Sequence, residues 1–290
     1  MNISFLVGLL AGIGLVAYGI LQSGSSTSQV VASFINFPSM SITFGGAIAA
    51  TVMSVPIKYI KDVPKNFKVL MKREKIDLGV YIDTIEELAK EARLKGLLVL
   101  EEKVTNIELQ DEFLKYCVML IVDAIEPTKV RSQIENEIDC IEARHSSAWK
   151  FFDTLGSFGP SFGMIGTLIG LINMLANMNV TNGASSLGQG MSVALVTTFY
   201  GSMLANLICA PISNRLKAKH DEEMIVKEMI MEGVLSIQSG ENPKYIREKL
   251  NSYITYEERG SKDNSDEEGK GNKKDKGKKR GKGRKKEANA

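Results

Sequence analysis

The side chains in this sequence best suited to chemistry are hydroxyls. Ser192, Thr197 and Thr198 fall in GQGMSVALVTTFYGSMLANLICAP, and Thr167 falls in LGSFGPSFGMIGTLIGLINMLANM. Both runs lie in a stretch, 154–214, without a single Asp, Glu, Lys or Arg. A hydroxyl can coordinate a dehydrated cation or line a wet path, but it does not titrate near neutral pH and cannot relay a proton by ionising. The usual carrier in a proton or sodium path through a membrane is a buried carboxylate, and no apolar run here contains one. If ions pass along these hydroxyls, the titrating group comes from another chain. The plainer alternative is that each Ser and Thr bonds back to a carbonyl of its own helix. The residues alone leave both open.

Other chemistry is hard to build from what remains. Two histidines, His145 and His220, are too few for a histidine-based metal site, and each is expected on a solvated helix face. Cys117, Cys140 and Cys209 show neither ligand spacing nor a pairing pattern, so reduced, structural roles are expected. No P-loop, GxSxG, HExxH or dinucleotide fingerprint occurs. GPSFGMIGTLIG is rich in glycine but lies inside an apolar run, where close packing explains it better than phosphate binding. Glu135, Glu137, Asp139 and Glu142 are expected on a solvated helix. The expectation is no enzyme, no catalytic residue, no metal and no cofactor; the small species that suit these residues are transported ions, H+ or Na+.

Helices must hold the hydroxyls in place. About 20 apolar residues cross a hydrocarbon core of roughly 30 Å, and two such runs fit within 154–214. Gly156, Gly159, Gly163, Gly166 and Gly170 give the first a small-residue surface that lets another backbone come close. Pro160 stands near its start, and Pro211 closes the second. Two further runs precede them, Ile3 to Leu21 and Ser39 to Ile57, and 1–57 is also free of Asp, Glu, Lys and Arg. A signal peptide is the alternative for the first run, but a basic start is missing and a second apolar run follows quickly, so a retained anchor is expected. Lys58, Lys61, Lys65 and Lys68 follow the second run, and Arg215, Lys217 and Lys219 follow the fourth. The loops 22–37 and 178–188 have no Lys or Arg. The positive-inside rule then puts the middle of the chain and both ends in the cytoplasm.

Between the spans the pattern is helical. IDTIEELAKEARLKGLLVLEEKV carries Ile82, Ile85, Leu88, Ala89 and Ala92 on one stripe, with Gly96 as a bend. A second helix is expected over LQDEFLKYCVMLIVDAI. A third starts at Pro127 and runs unbroken to the third span, with Trp149, Phe151 and Phe152 at the depth of an interfacial aromatic belt. After the fourth span a helix runs to a stop at Gly240, and a short one covers PKYIREKLNSYI. From Glu257 onward the sequence is Lys, Arg, Gly, Asp and Glu with little apolar content, so disorder is expected. Its basic end suits an anionic leaflet better than nucleic acid. The fold class expected is therefore an all-α membrane protein with four transmembrane helices, two plus two. Its segments are a first helix pair (1–57), a cytoplasmic helical domain (58–153), a second pair lining the ion path (154–214), cytoplasmic C-terminal helices (215–256) and a disordered basic tail (257–290).

GPSFGMIGTLIGL followed by GMSVALVTTFYGSMLANLICAPI, in this two-plus-two frame, closely resembles the flagellar stator subunits of the MotA/PomA branch of the MotA/TolQ/ExbB ion-channel family. The resemblance covers residues 1 to about 255. TolQ and ExbB members have three spans, which favours the flagellar branch. The resemblance implies an inner-membrane stator subunit that conducts protons together with MotB and turns ion flow into torque; a sodium-driven, PomA-like subunit is the alternative, and a non-conducting scaffold or TolQ/ExbB-type transducer is a further one. It implies that Thr167 and Thr198 face a transmembrane Asp supplied by MotB, with Thr197 and Ser192 kept as further hydroxyls of the ion path. It also implies that Pro160 matches the proline at the cytoplasmic entrance of the third span and Pro211 the one closing the fourth; Pro160 lacks an N–H, so these prolines are expected as hinge or gating positions. Within EARLKGLLVLEE it implies that Arg93 and Glu101 contact the rotor protein FliG, with Glu102 as the alternative acid. A ring of five chains around a MotB pair, embedded in membrane lipid, is implied as well.

Overall fold

The computed structural model describes residues 3–22, 33–71, 77–106, 111–176 and 183–254. Among them the regular elements are all helices. The chain divides into two compact units, one built from 1–75 and 139–222 and the other from 76–138 and 223–290. The basic tail and most of the two uncharged loops lie outside the described residues.

In the first unit, α1 (Ile3–Gln22) is apolar from end to end. Helix α2 (Phe37–Ser54) begins where the Asn36 side chain accepts a hydrogen bond from the Ser39 N–H at 3.1 Å, a cap that satisfies one of the first-turn donors. It contains a π-helical turn, Ser41–Gly45. It stops at Val55, which is extended (φ −121°, ψ 147°) because the Pro56 ring disfavours helical geometry in the residue before it. The lysine-bearing α3 (Ile57–Met71) follows. Helix α7 (Pro127–Ala176) is 50 residues long, and its part from 139 onward belongs to this unit. Helix α8 (Gly183–Met203) passes through a second π turn, Leu204–Cys209, into α9 (Ala210–Gln238). Segments 58–71 and 139–153, polar by composition, pack with the apolar helices: Leu70, Phe152, Ile212 and Leu216 form one core, with Val63, Ala148, Trp149 and Phe151 against it. Phe152 is thus an interior residue (4 % exposed), not a member of an interfacial belt.

The histidines depart from expectation too. His145 Nδ1 and His220 Nδ1 lie 3.2 Å apart, and Trp149 packs on the His220 ring at 5.1 Å between centroids. Residues 75 positions apart in the chain meet here because both sit on the packed faces of their helices.

The second unit has a conventional apolar core. Helix α4 (Leu78–Lys95) is capped by Asp77, whose Oδ1 accepts from the Gly79 N–H at 2.9 Å. Of the apolar stripe predicted for it, Ile82, Ile85, Leu88 and Ala89 are buried and Ala92 is half-buried. The helix does not bend at Gly96 but ends there: Gly96 has φ +88°, a conformation that side chains disfavour. A 3-10 turn, Leu97–Val99, and α5 (Leu100–Asn106) follow. Helix α6 (Glu112–Val122) starts later than its apolar pattern suggests because Asp111 caps it, accepting from the Phe113 and Leu114 N–H groups. Gly240 (φ +71°) follows the end of α9, and α10 (Pro243–Leu250) is capped by Asn242. Gly233 lets α9 approach α4, since a Cβ there would lie 2.8 Å from Ile85 Cγ2. Arg247 of α10 bonds to Glu86 and Asp83 of α4.

Candidate functional site

The glycine-rich surface of α7 is the seat of the predicted ion path, and it packs directly on α8. A Cβ at Gly201 would lie 2.5 Å from the Gly159 carbonyl oxygen and 3.1 Å from Pro160 Cα. A Cβ at Gly163 would lie 3.0 Å from the Thr197 carbonyl oxygen and 3.2 Å from Thr198 Cα. Gly170 meets Gly190 and Ala194 in the same way. Backbone therefore touches backbone along the crossing, as small residues in apolar helices permit. The predicted proline Pro160 sits at this closest approach and is exposed on its other side, with α7 continuous through it.

The four predicted hydroxyl residues fall into two settings. Thr197 is fully buried, its Oγ1 donating to the Val193 and Ala194 carbonyls at 3.0 and 2.9 Å, and its methyl and hydroxyl fill the space above Gly166. Its role within the chain is packing. Thr198 is exposed and Thr167 and Ser192 are half-buried. Thr167 Oγ1 donates to the Met164 carbonyl at 2.7 Å; Thr198 Oγ1 reaches the Ala194 carbonyl only at 3.4 Å. Such back-bonding occupies the proton and leaves the oxygen lone pairs of Thr167 and Thr198 available to an ion or water. The structure brings Thr167 and Thr198 to the same crossing, where Gly163, four residues before Thr167, lies against Thr198.

A third helix takes part that the sequence did not reveal. Thr43 of α2 is fully buried, and its Oγ1 donates to the Thr197 carbonyl at 3.3 Å. The Thr197–Thr198 peptide is thus held between Gly163 on one side and Thr43 on the other. The only hint in the sequence was a threonine two residues before Gly45 and Gly46, on the small side of α2. At the end of the α7–α8 pair, Asp153 accepts from Ser213 Oγ at 2.5 Å and from Lys217 Nζ at 2.7 Å. Pro211 is half-buried and lies just beyond the π turn. Its ring cannot fit over a regular preceding turn, and the widened turn makes room for it.

The charged residues singled out in EARLKGLLVLEE all lie at one corner of the second unit. Arg93, Glu101 and Glu102 are exposed, and so are Leu94 and Leu98 between them. Their basic neighbours are engaged internally. Lys95 Nζ lies 2.8 Å from Glu91, and Lys103 Nζ bridges Glu91 and Glu87 at 3.5 and 3.6 Å. The Lys95 hydrogen bond, with Lys103 close by, holds the Glu91 carboxyl below its ordinary pKa. Among the described residues, Arg93, Glu101 and Glu102 form no ion pair.

The pattern of the MotA/TolQ/ExbB proton channel family matches residues 105–229. Motility protein A of Borreliella burgdorferi is 35 % identical over 91 % of this chain and 98 % of its own length. The chain belongs to the MotA/TolQ/ExbB family. Within that family it stands with the motility proteins, as a helical membrane protein of the flagellar stator type. The chemotaxis protein PomA of Vibrio alginolyticus is 33 % identical over 88 % of this chain and 96 % of its own. The solved flagellar MotAB stator complex from Bacillus subtilis contains a chain of like fold, with a TM-score of 0.76 and 32 % identity over 88 % of this chain and 97 % of that one. Among the described residues no cluster of three or more His, Cys, Asp or Glu is arranged to hold a metal ion.

Proposed function

We propose that this chain is the channel-forming, torque-generating subunit of a flagellar stator, conducting protons through the bacterial inner membrane in company with a MotB-type partner. The observation that carries the reading is an α7–α8 pair that presents Thr167 and Thr198 but holds no Asp, Glu, Lys or Arg between 154 and 203, in a chain that is like one solved in a MotAB complex. The partner then supplies the titrating Asp. In this reading the chain crosses four times with both ends in the cytoplasm; four helices long and apolar enough to cross and the lysines that border them support it. Several copies, five in this reading, surround a partner pair.

Thr167 and Thr198, with Ser192 nearby, offer oxygen ligands to the ion; Thr197 supports them from behind. Pro160 and Pro211 are the places where the pair flexes. Arg93 and Glu101 or Glu102 meet the rotor protein FliG. A monovalent ion crossing 100 mV releases about 2.3 kcal/mol, and inverting a two-state packing from 1:99 to 99:1 takes about 5.5 kcal/mol, so two or three ions suffice per step. Sodium is the alternative ion, favoured by the PomA relative and by the presence of both threonines.

The test is swimming speed in a strain lacking its own stator and given this chain with its partner. Proton coupling predicts that speed is unchanged when potassium replaces sodium at fixed pH and that an uncoupler stops motion. Loss of swimming on sodium removal overturns proton coupling in favour of sodium. Failure to restore any motility overturns the stator reading.

A further inference from the structure

The corner between α4 and α5 displays two leucines to solvent in a unit that buries Leu88, Leu100, Leu114, Leu120, Leu235 and Leu250. Leu94 is 79 % exposed and Leu98 is 75 % exposed, whereas Leu88 and Leu100, which anchor the corner on either side, are 1 % and 0 % exposed. The backbone is well held: the Gly96 N–H closes the helix on the Ala92 carbonyl at 2.8 Å, and the positive φ of Gly96 sets the turn. The leucines are therefore presented on a formed surface. In sequence they stand between Arg93 and the pair Glu101 and Glu102, which form no ion pair among the described residues, while Lys95 and Lys103 are taken up by Glu91 and Glu87.

Resting on the stator reading above, we infer that Leu94 and Leu98 form the apolar centre of the rotor-contacting surface and supply most of its affinity, with Arg93 and the acids acting as an orienting rim. Magnitudes decide between the two. Solvent-exposed ion pairs change an equilibrium by a factor of about five or less, whereas burying a fully exposed leucine is worth roughly tenfold or more. Contacts of this kind concentrate their affinity in a small dry centre, with rim charges governing approach and register. The partner that fits presents an apolar side chain, a carboxylate opposite Arg93 and basic groups opposite Glu101 and Glu102. A second copy of the same corner fits less well, because the two acids of each chain outnumber its single arginine and facing copies would leave carboxylates opposed.

The experiment measures binding of purified rotor protein to the detergent-solubilised complex of this chain with its partner, at low and at high salt. Leu94→Ser with Leu98→Ser is expected to weaken binding at least tenfold at both salt concentrations, on the roughly tenfold worth of each leucine, and Leu98→Met to bind almost as the parent. Arg93→Glu is expected to weaken binding mainly at low salt. Both leucines are exposed, so the melting temperature and the oligomeric state should be unchanged. If the leucine pair can be replaced without effect while the charge reversals abolish binding, the apolar centre is wrong and the rotor reading stands. If neither set of changes alters binding, the rotor assignment of this corner fails. If the leucine variant disperses the assembly, the leucines cover a neighbouring copy and the inference falls.

Discussion

Glu86 shows how a carboxylate survives in a helical core. Burial opposes its charge, but hydrogen bonds from Lys90 and Arg247 outweigh that cost and hold its pKa below the ordinary 4.5. A depressed folded-state pKa contributes stability that is present above the ordinary value and is lost as pH falls through the folded one. The melting temperature of the solubilised protein should therefore exceed that of Glu86→Gln at neutral pH, with the gap closing once the pH drops below about 4.5. Cys117 is governed chiefly by burial: its thiol is pushed up to about 12, in keeping with the structural role expected from its spacing. Which hydroxyl does what was only half legible. Residue types picked out Thr167, Thr197 and Thr198 together, but whether a threonine faces outward or into a neighbouring helix depends on the neighbour. Thr197 went inward onto Gly166, and Thr43, marked in the sequence only by the glycines that follow it, donates to its carbonyl.

At the level of the helices, the glycines were the readable signal. Their three- and four-residue spacing marked one side of α7 for close approach, and the structure lays that side against α8. Gly201→Ala adds a Cβ 2.5 Å from the Gly159 carbonyl oxygen, and a backbone oxygen cannot rotate away as a side chain can. The two helices must separate, at a cost of about 1–3 kcal/mol typical of overpacking. A lower melting temperature together with reduced motility is expected, and Gly8→Ala, which meets nothing within 4 Å, is the control. The π turns escaped prediction because SITFG and LANLIC have the same apolar character as the α-helix around them, and a shift in hydrogen-bond partner leaves no mark on composition. Gly96 was visible as an interruption, but its positive φ, which turns a bend into a stop, was not.

For the molecule as a whole, the informative feature is the segregation of charge along the chain, which by itself separates the apolar helices from the rest. It could not show that 58–71 and 139–153 pack with those helices, because their apolar residues are spread thinly along polar segments and gather only when folded. On the function proposed above, a path without a carboxylate also makes the chain incomplete as a conductor. Reconstituted alone in liposomes it should pass neither protons nor sodium above background, and flux should rise when the partner is added; full flux from the chain by itself would remove the need for a lent carboxylate. The widened turn at Leu204–Cys209 has a bearing on how such a molecule can change over time. It absorbs about one more residue than an α-helical turn does, so loss of a single residue there leaves the ends of the helix nearly in phase. Within α8 the same loss rotates everything beyond it by roughly 100°. Among the described residues of the fourth apolar helix, this turn is where length can drift without scrambling which side meets its neighbours.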